Sequence, residues 1–244
     1  DALPDTAEYV AWLDCDIVFE DNNWWQKAML ELEQVKVLQP FSNVVHPTAK
    51  ASENFQMDCI HDPKNILYDN EWSINHALQA GDTPWTIRPD TSLIGFHEAR
   101  STPGIAWVAK RDTLVQIGLY DRFVLGSGDR VVMSGFLGNY SGLERFYGGA
   151  INQQILDCCY DWAELAFSTI GGNIGHVPGR LFNLWHGDIK DRHYLARHKI
   201  LKDHEFDPVT DIRIGPQGAW QWASDKPELH AAVQRYFVER REDG

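Results

Sequence analysis

Residues 9–19 read YVAWLDCDIVF, an apolar run interrupted by two aspartates one residue apart and then resumed. The aromatic and β-branched content predicts a buried strand, with Asp14 and Asp16 near its carboxyl end. Side chains at i and i+2 of a strand share a face, about 6 to 7 Å apart, so both carboxylates can reach one hard divalent cation. Open α/β sheets bind ligands at the carboxyl ends of their strands. The plainer alternative is a pair of turn-forming or capping aspartates. On the same alternation Cys15 points away from both, into the core.

The neighbouring stretches predict how that strand is embedded. DNNWWQKAMLELEQ opens with cap residues and places Trp25, Met29 and Leu32 on one helical stripe, so Trp25 is expected in the core. VKVLQPFSNVVH reads as a strand broken at Pro40, and strand, helix, strand in this order gives a parallel α/β unit. Residues 46–103 read as loop-rich, with one helix over DNEWSINHALQAG. PGIAWVAKRDTLVQIGLYD reads as a strand and a short helix ending at Gly118. VLGSGDRVVMSGFLG reads as a glycine-rich loop carrying Asp129, and residues 150–169 as a long buried helix. GRLFNLWHG reads as a strand, DRHYLARHKILKD as a helix, and DKPELHAAVQRYFVERRED as an amphipathic C-terminal helix. The 244 residues contain no repeat, low-complexity run or linker, so residues 1–244 are expected to form one α/β domain.

Composition limits the function. A formal charge of −13 argues against nucleic acid as a partner, because such binders neutralise phosphates with clustered Lys and Arg. Residues 186–203, HGDIKDRHYLARHKILKD, are a local exception, with five Lys/Arg against three Asp and three His besides. This island can receive a small anion or form a solvated amphipathic helix. The longest apolar runs fall short of the roughly 20 residues of a membrane span, and DALPDTAEYV lacks the features of a signal peptide, so the expected location is the cytoplasm. The four cysteines have no metal-site or disulfide spacing.

YVAWLDCDIVF, the PGIAWVAKRDTLVQIGLYDRFVLGSGD block and LFNLWHG occur in an order and spacing that resembles the GT-A glycosyltransferases, over most of residues 9–200. The resemblance implies a GT-A fold: a mixed central sheet flanked by helices. It implies transfer of a sugar from a nucleotide-diphosphate sugar to a hydroxyl acceptor such as a glycan. Asp14 and Asp16 would be the DxD motif that holds Mn²⁺ or Mg²⁺ on the donor diphosphate. His186 would complete the cation site, while Gly187 and Lys190 would meet the diphosphate beside a helix starting at Asp191. Imidazole with carboxylate favours Mn²⁺.

Asp129 matches the acidic position that acts as general base in inverting members, although Gly128-Asp129 departs from the commoner Glu-Asp pair. Trp107 and Trp185 are candidates for stacking on acceptor or sugar, whereas Trp25 and Trp162 read as core. His193 and His198, five apart, read as surface residues. Members of the family begin with nucleotide-binding strands well ahead of the DxD, but only 13 residues precede Asp14 here. The expectation is a C-terminal portion of a longer domain, incomplete at its N-terminus, and one that by itself binds nucleotide poorly and is inactive.

Two alternatives stand beside this reading. One is a carbohydrate-binding or assembly module with a decayed transferase site. The other is a haloacid-dehalogenase-like phosphatase, whose first motif LDCDIVF resembles. That enzyme needs a later Gly-Asp followed three or four residues on by another Asp, and Gly81-Asp82, Gly128-Asp129 and Gly187-Asp188 all fail the spacing.

Overall fold

The computed structural model describes residues 3–83, 101–147, 149–193 and 196–240, and at Ile189 and Lys190 the backbone alone. In chain order the elements begin with β1 (Tyr9–Leu13), β2 (Ile17–Phe19), α1 (Trp24–Glu31), β3 (Val37–Gln39), β4 (Asn43–Pro47) and α2 (Ala49–Glu53). Next come β5 (Ile66–Trp72), α3 (Ile74–Gln79), β6 (Ala106–Lys110), α4 (Arg111–Ile117), α5 (Gly128–Leu137), α6 (Tyr140–Tyr147) and α7 (Gln153–Ile170). The last are β7 (Ile174–His176), β8 (Arg180–Asn183), α8 (Arg197–Asp203), β9 (Ile212–Ile214), β10 (Trp220–Trp222) and α9 (Pro227–Glu239). The architecture is mixed α/β, and among the described residues no helix is long and apolar enough to cross a membrane.

Two four-stranded sheets organise it, in the orders β1-β6-β3-β7 and β2-β8-β4-β5, and β9 pairs with β10 apart from them. Both are mixed. β3 runs parallel to β7 and β4 parallel to β8, while β1 and β3 flank β6 antiparallel and β2 lies antiparallel to β8. Three times the chain leaves a strand of the first sheet, bends over three residues and enters the second: β1 to β2, β3 to β4 and β7 to β8. At the second bend Pro40 cannot donate to a ladder, which ends β3, and Phe41 fills the junction fully buried. The sheets are therefore joined at three bends, and Asp14-Cys15-Asp16 is the first of them in chain order.

That corrects the expected strand. β1 stops at Leu13, so Asp14, Cys15 and Asp16 occupy a turn, and strand alternation does not govern them. Cys15 is exposed rather than a core thiol. The stripe of α1 also differs, since Ala28 and Leu32 are buried while Trp25 is 50% exposed.

Gln39, fully buried at the end of β3, pins the segment before β6. Its Nε2 donates to the carbonyls of Thr102 (2.9 Å) and Gly104 (3.3 Å), and its Oε1 accepts from the Ile74 N–H (2.6 Å). The glycine-rich stretch is mainly helical. α5 starts at Gly128 and is buried from Arg130 to Leu137, because Gly135 lets it approach α7 closely: a Cβ there would lie 2.9 Å from the Trp162 ring and 3.1 Å from the Ala163 Cα. DNEWSINHALQAG divides into the end of β5 and α3, with the Ser73 hydroxyl accepting from the His76 N–H as N-cap.

Candidate functional site

The two aspartates are tied to different sheets. The Asp14 N–H donates to the Ile105 carbonyl (2.8 Å), just ahead of β6, and the Asp16 carbonyl accepts from the Leu184 N–H (2.8 Å), just after β8. β8 delivers Leu184, Trp185 and His186 to the same place, since Ile17 pairs with Asn183 and the register carries Asp16 onto Leu184.

The His186 Nδ1 contacts the Asp16 carboxylate and lies 2.8 Å from the Leu184 carbonyl. Both neighbours are acceptors, so Nδ1 carries the proton and Nε2 is the nitrogen left for a cation. Metal-binding histidines are commonly oriented in this way. Of the three expected cation ligands Asp14, Asp16 and His186, the structure brings His186 against Asp16, which orients the ring. Among the described residues no three His, Cys, Asp or Glu side chains converge as a ready-made metal cage.

Asp14 is held differently. Its carboxyl is pushed up from 3.8 to about 6, first by burial, then by the negative charges of Asp16 and Asp129; the Arg192 guanidinium and the Ile105 backbone N–H, which faces the carboxyl as a donor, oppose the shift. Asp16 is also raised by burial, against its local backbone hydrogen bond and the charges of Arg192 and His46. The bend is thus a place where carboxylate charge is under-compensated, which a divalent cation would relieve.

Asp129 joins the cluster from the first turn of α5. Its Oδ1 accepts from the Arg130 N–H (3.0 Å), and its Oδ2 sits so near Gly104 that a Cβ there would lie 3.3 Å away. Gly104 and Ile105 therefore bear Asp129 on one residue and Asp14 on the next. Ile105 has φ +75°, a strained conformation for a β-branched residue.

The remaining expected residues divide. Gly187 has φ +102° and follows His186 at the rim. The Lys190 side chain lies outside the described residues; Arg192 is the cation that acts on both aspartates, and it donates to the His186 carbonyl (3.3 Å). Residues 189–192 form a single 3-10 turn and α8 begins at Arg197, so no helix starts at Asp191.

Trp185 is 37% exposed beside the site, its N–H donating to the Ser52 hydroxyl (2.8 Å). Trp107 is 2% exposed, stacked on Trp12 and bonded through its indole N–H to the Pro103 carbonyl, so it packs the core and offers no face to a sugar. His198 is 2% exposed, contrary to the surface expectation, whereas His193 is exposed.

Sequence reasoning missed Arg192, Gly104, Ile105 and the pair His46–Glu71 (3.0 Å) beside Asp16. The pattern NVVH placed His46 on a strand but carried no sign that β4 would lie next to β8. Comparison with protein-family models, curated proteins and solved structures found no match.

Proposed function

We propose that this chain is a GT-A-type catalytic region that transfers a sugar from a nucleotide-diphosphate donor to a hydroxyl acceptor, with a divalent cation at Asp14 and Asp16. The observation that carries the reading is the contact of His186 with Asp16 at a bend between two sheets, where Asp14 also lies and feels the charges of Asp16, Asp129 and Arg192.

No three side chains form a cage by themselves among the described residues, so Asp14 and Asp16 would hold a hard cation jointly with the oxygens of the donor diphosphate, with His186 orienting Asp16. Bound there, the cation would supply Lewis-acid neutralisation of the departing diphosphate. Arg192 contributes a fixed positive charge on the same side, and Lys190 is expected to add another. Asp129 serves as the base. As the acceptor oxygen forms its bond to the anomeric carbon, the bond from that carbon to the diphosphate oxygen breaks and its electrons leave with the diphosphate. The acceptor proton passes to the Asp129 carboxylate.

Thermal unfolding of the full chain with and without Mn²⁺ and UDP or GDP tests this. Native protein should be stabilised by Mn²⁺ and further by one diphosphate, and Asp16→Ala should lose both effects. An absence of any Mn²⁺ shift in the native chain would refute the cation site. Diphosphate binding with no release of nucleotide from any sugar donor would favour the non-catalytic module.

A further inference from the structure

Asp129 follows a residue in an unusual conformation. Ser127 has φ +72°, a left-handed backbone at a residue with a Cβ, immediately before Gly128 opens α5. Such a conformation persists only where surrounding contacts over-determine it.

The contacts converge on Ser127 from three sides. Its carbonyl accepts from the Tyr147 hydroxyl at 2.7 Å. Its hydroxyl is met by the Arg197 Nη2 and, at 3.1 Å, by the His198 Nε2. Arg197 is in turn anchored by Nη1 to the Tyr236 hydroxyl (3.3 Å), and a Cβ on Gly126 would lie 3.1 Å from that same Nη1. Arg197, His198, Tyr147 and Tyr236 are all at least nine-tenths buried, and Phe123, Phe146 and Tyr147 enclose the His198 ring.

A guanidinium can only donate, so the Ser127 oxygen is the acceptor in that bond and its own O–H can donate to the His198 Nε2. This requires a neutral imidazole. Burial, then the charges of Arg197 and Arg130, lower His198 to about 3 and keep it neutral.

We propose that Ser127, gripped by Arg197, His198 and Tyr147, is a positioning residue that seats the Asp129 carboxylate against the Gly104–Ile105 corner. The inference rests on the reading of Asp129 as the base. On this account α8 serves the site by bringing two adjacent buried polar side chains onto one hydroxyl two residues from that base.

Amide hydrogen exchange on the full chain tests it, comparing native protein with Ser127→Gly, Arg197→Met and the double variant. Glycine tolerates the left-handed backbone, so Ser127→Gly removes the hydroxyl without adding strain. Loss of a bond to a charged donor should accelerate exchange at Arg130, Val131 and Val132 by about 10- to 100-fold, with β6 amides unchanged within about two-fold. The double variant should be no worse than the singles, because both remove one link. Native protection at 130–132 in Ser127→Gly would overturn the proposal, and so would additive effects or equal acceleration throughout the chain. If Arg197→Met does not fold, Ser127→Ala against Ser127→Gly decides, since both lack the hydroxyl and both must lose protection.

In a turnover assay with a nucleotide-sugar panel and Mn²⁺, Ser127→Gly should lower kcat with donor KM unchanged, and should cost nothing further in an Asp129→Asn background. Absence of both diphosphate binding and turnover in native protein sinks the transferase reading alone, and unaltered exchange sinks the positioning alone.

Discussion

Removing the charge of Asp14 should stabilise the cation-free protein and destroy its response to Mn²⁺. The folded-state carboxyl titrates near 6 instead of 3.8, because burial and the charges of Asp16 and Asp129 disfavour its ionised form. The sign follows from linkage: between those values the folded state binds the proton more tightly than the unfolded chain, so stability falls as pH rises from about 4 to about 6 and then levels off. The rise from 3.8 to about 6 corresponds to about 3 kcal/mol for a carboxyl wholly shielded from solvent. Burial is the largest cause of that shift, yet Asp14 as a residue is exposed. Solvent that reaches the carboxyl screens its neighbours and leaves about 1 kcal/mol.

In a protein of this length that is about 2 to 4 °C in Tm. Asp14→Asn should therefore melt higher than native protein in EDTA above pH 7, with the difference closing toward pH 4. With Mn²⁺ at about one hundred times its dissociation constant, native protein gains about 2.7 kcal/mol and the order reverses. Calorimetric melting at three pH values, with and without Mn²⁺, reads both effects. A variant less stable than native at pH 7.5 in EDTA would mean that attraction to Arg192 outweighs the carboxylate repulsion, and the under-compensated bend would have to be abandoned.

Ile105 gives a second test. Glycine in place of alanine normally costs about 0.5 to 1 kcal/mol, but at φ +75° the left-handed penalty of about 1 to 2 kcal/mol reverses the preference. Ile105→Gly should thus be at least as stable as Ile105→Ala in urea unfolding, and the opposite order would show that the strain is absent. Gln39→Met should lower stability by about 3 kcal/mol, because three buried backbone partners lose their bonds together; a loss below about 1 kcal/mol would remove Gln39 from its supporting role. Cys15 should react with a thiol reagent in the native protein while Cys159 does not, one being exposed and the other buried with its thiol raised to about 12; equal rates would contradict the placement of the bend on the surface.

Apolar patterning makes the α/β class legible, along with the strands around Asp14 and His186 and most of the helices, because long periodic segments declare themselves. Asp16 stands out by its spacing from Asp14 at a strand end, whereas His186 stands out only through the resemblance of LFNLWHG to the GT-A glycosyltransferases. The failures share a cause, in that local pattern does not record what a neighbouring segment does. LDCDIV alternates well enough to pass for one strand, yet the chain changes sheets within it, and only the pairing of Asp14 with Ile105 and Asp16 with Leu184 reveals the bend. Glycines in VLGSGDRVVMSGFLG look like loop residues, although Gly135 serves a close helix crossing and Gly138 caps α5 in the left-handed conformation. His198 looks solvent-facing in the sequence because Ser127, the residue its ring bonds to, lies 71 positions away.

Several departures from local rule lie at or next to the candidate site. Ile105 and Ser127 adopt left-handed backbones that their side chains disfavour, Asp14 and Asp16 crowd like charge, and Gln39 brings an amide into a fully buried junction. Each costs stability where it stands, and each is held by a contact from a different segment: Asp14 on Ile105, Tyr147 on Ser127, His186 on Asp16, Thr102 on Gln39. A fold under no functional demand would place its glycines at the left-handed positions and separate its carboxylates. Because the two aspartates are tied to two different sheets, the spacing of their oxygens is set by how those sheets meet. Distant substitutions along the three bends, Gln39 first among them, should therefore change cation affinity without touching a ligand.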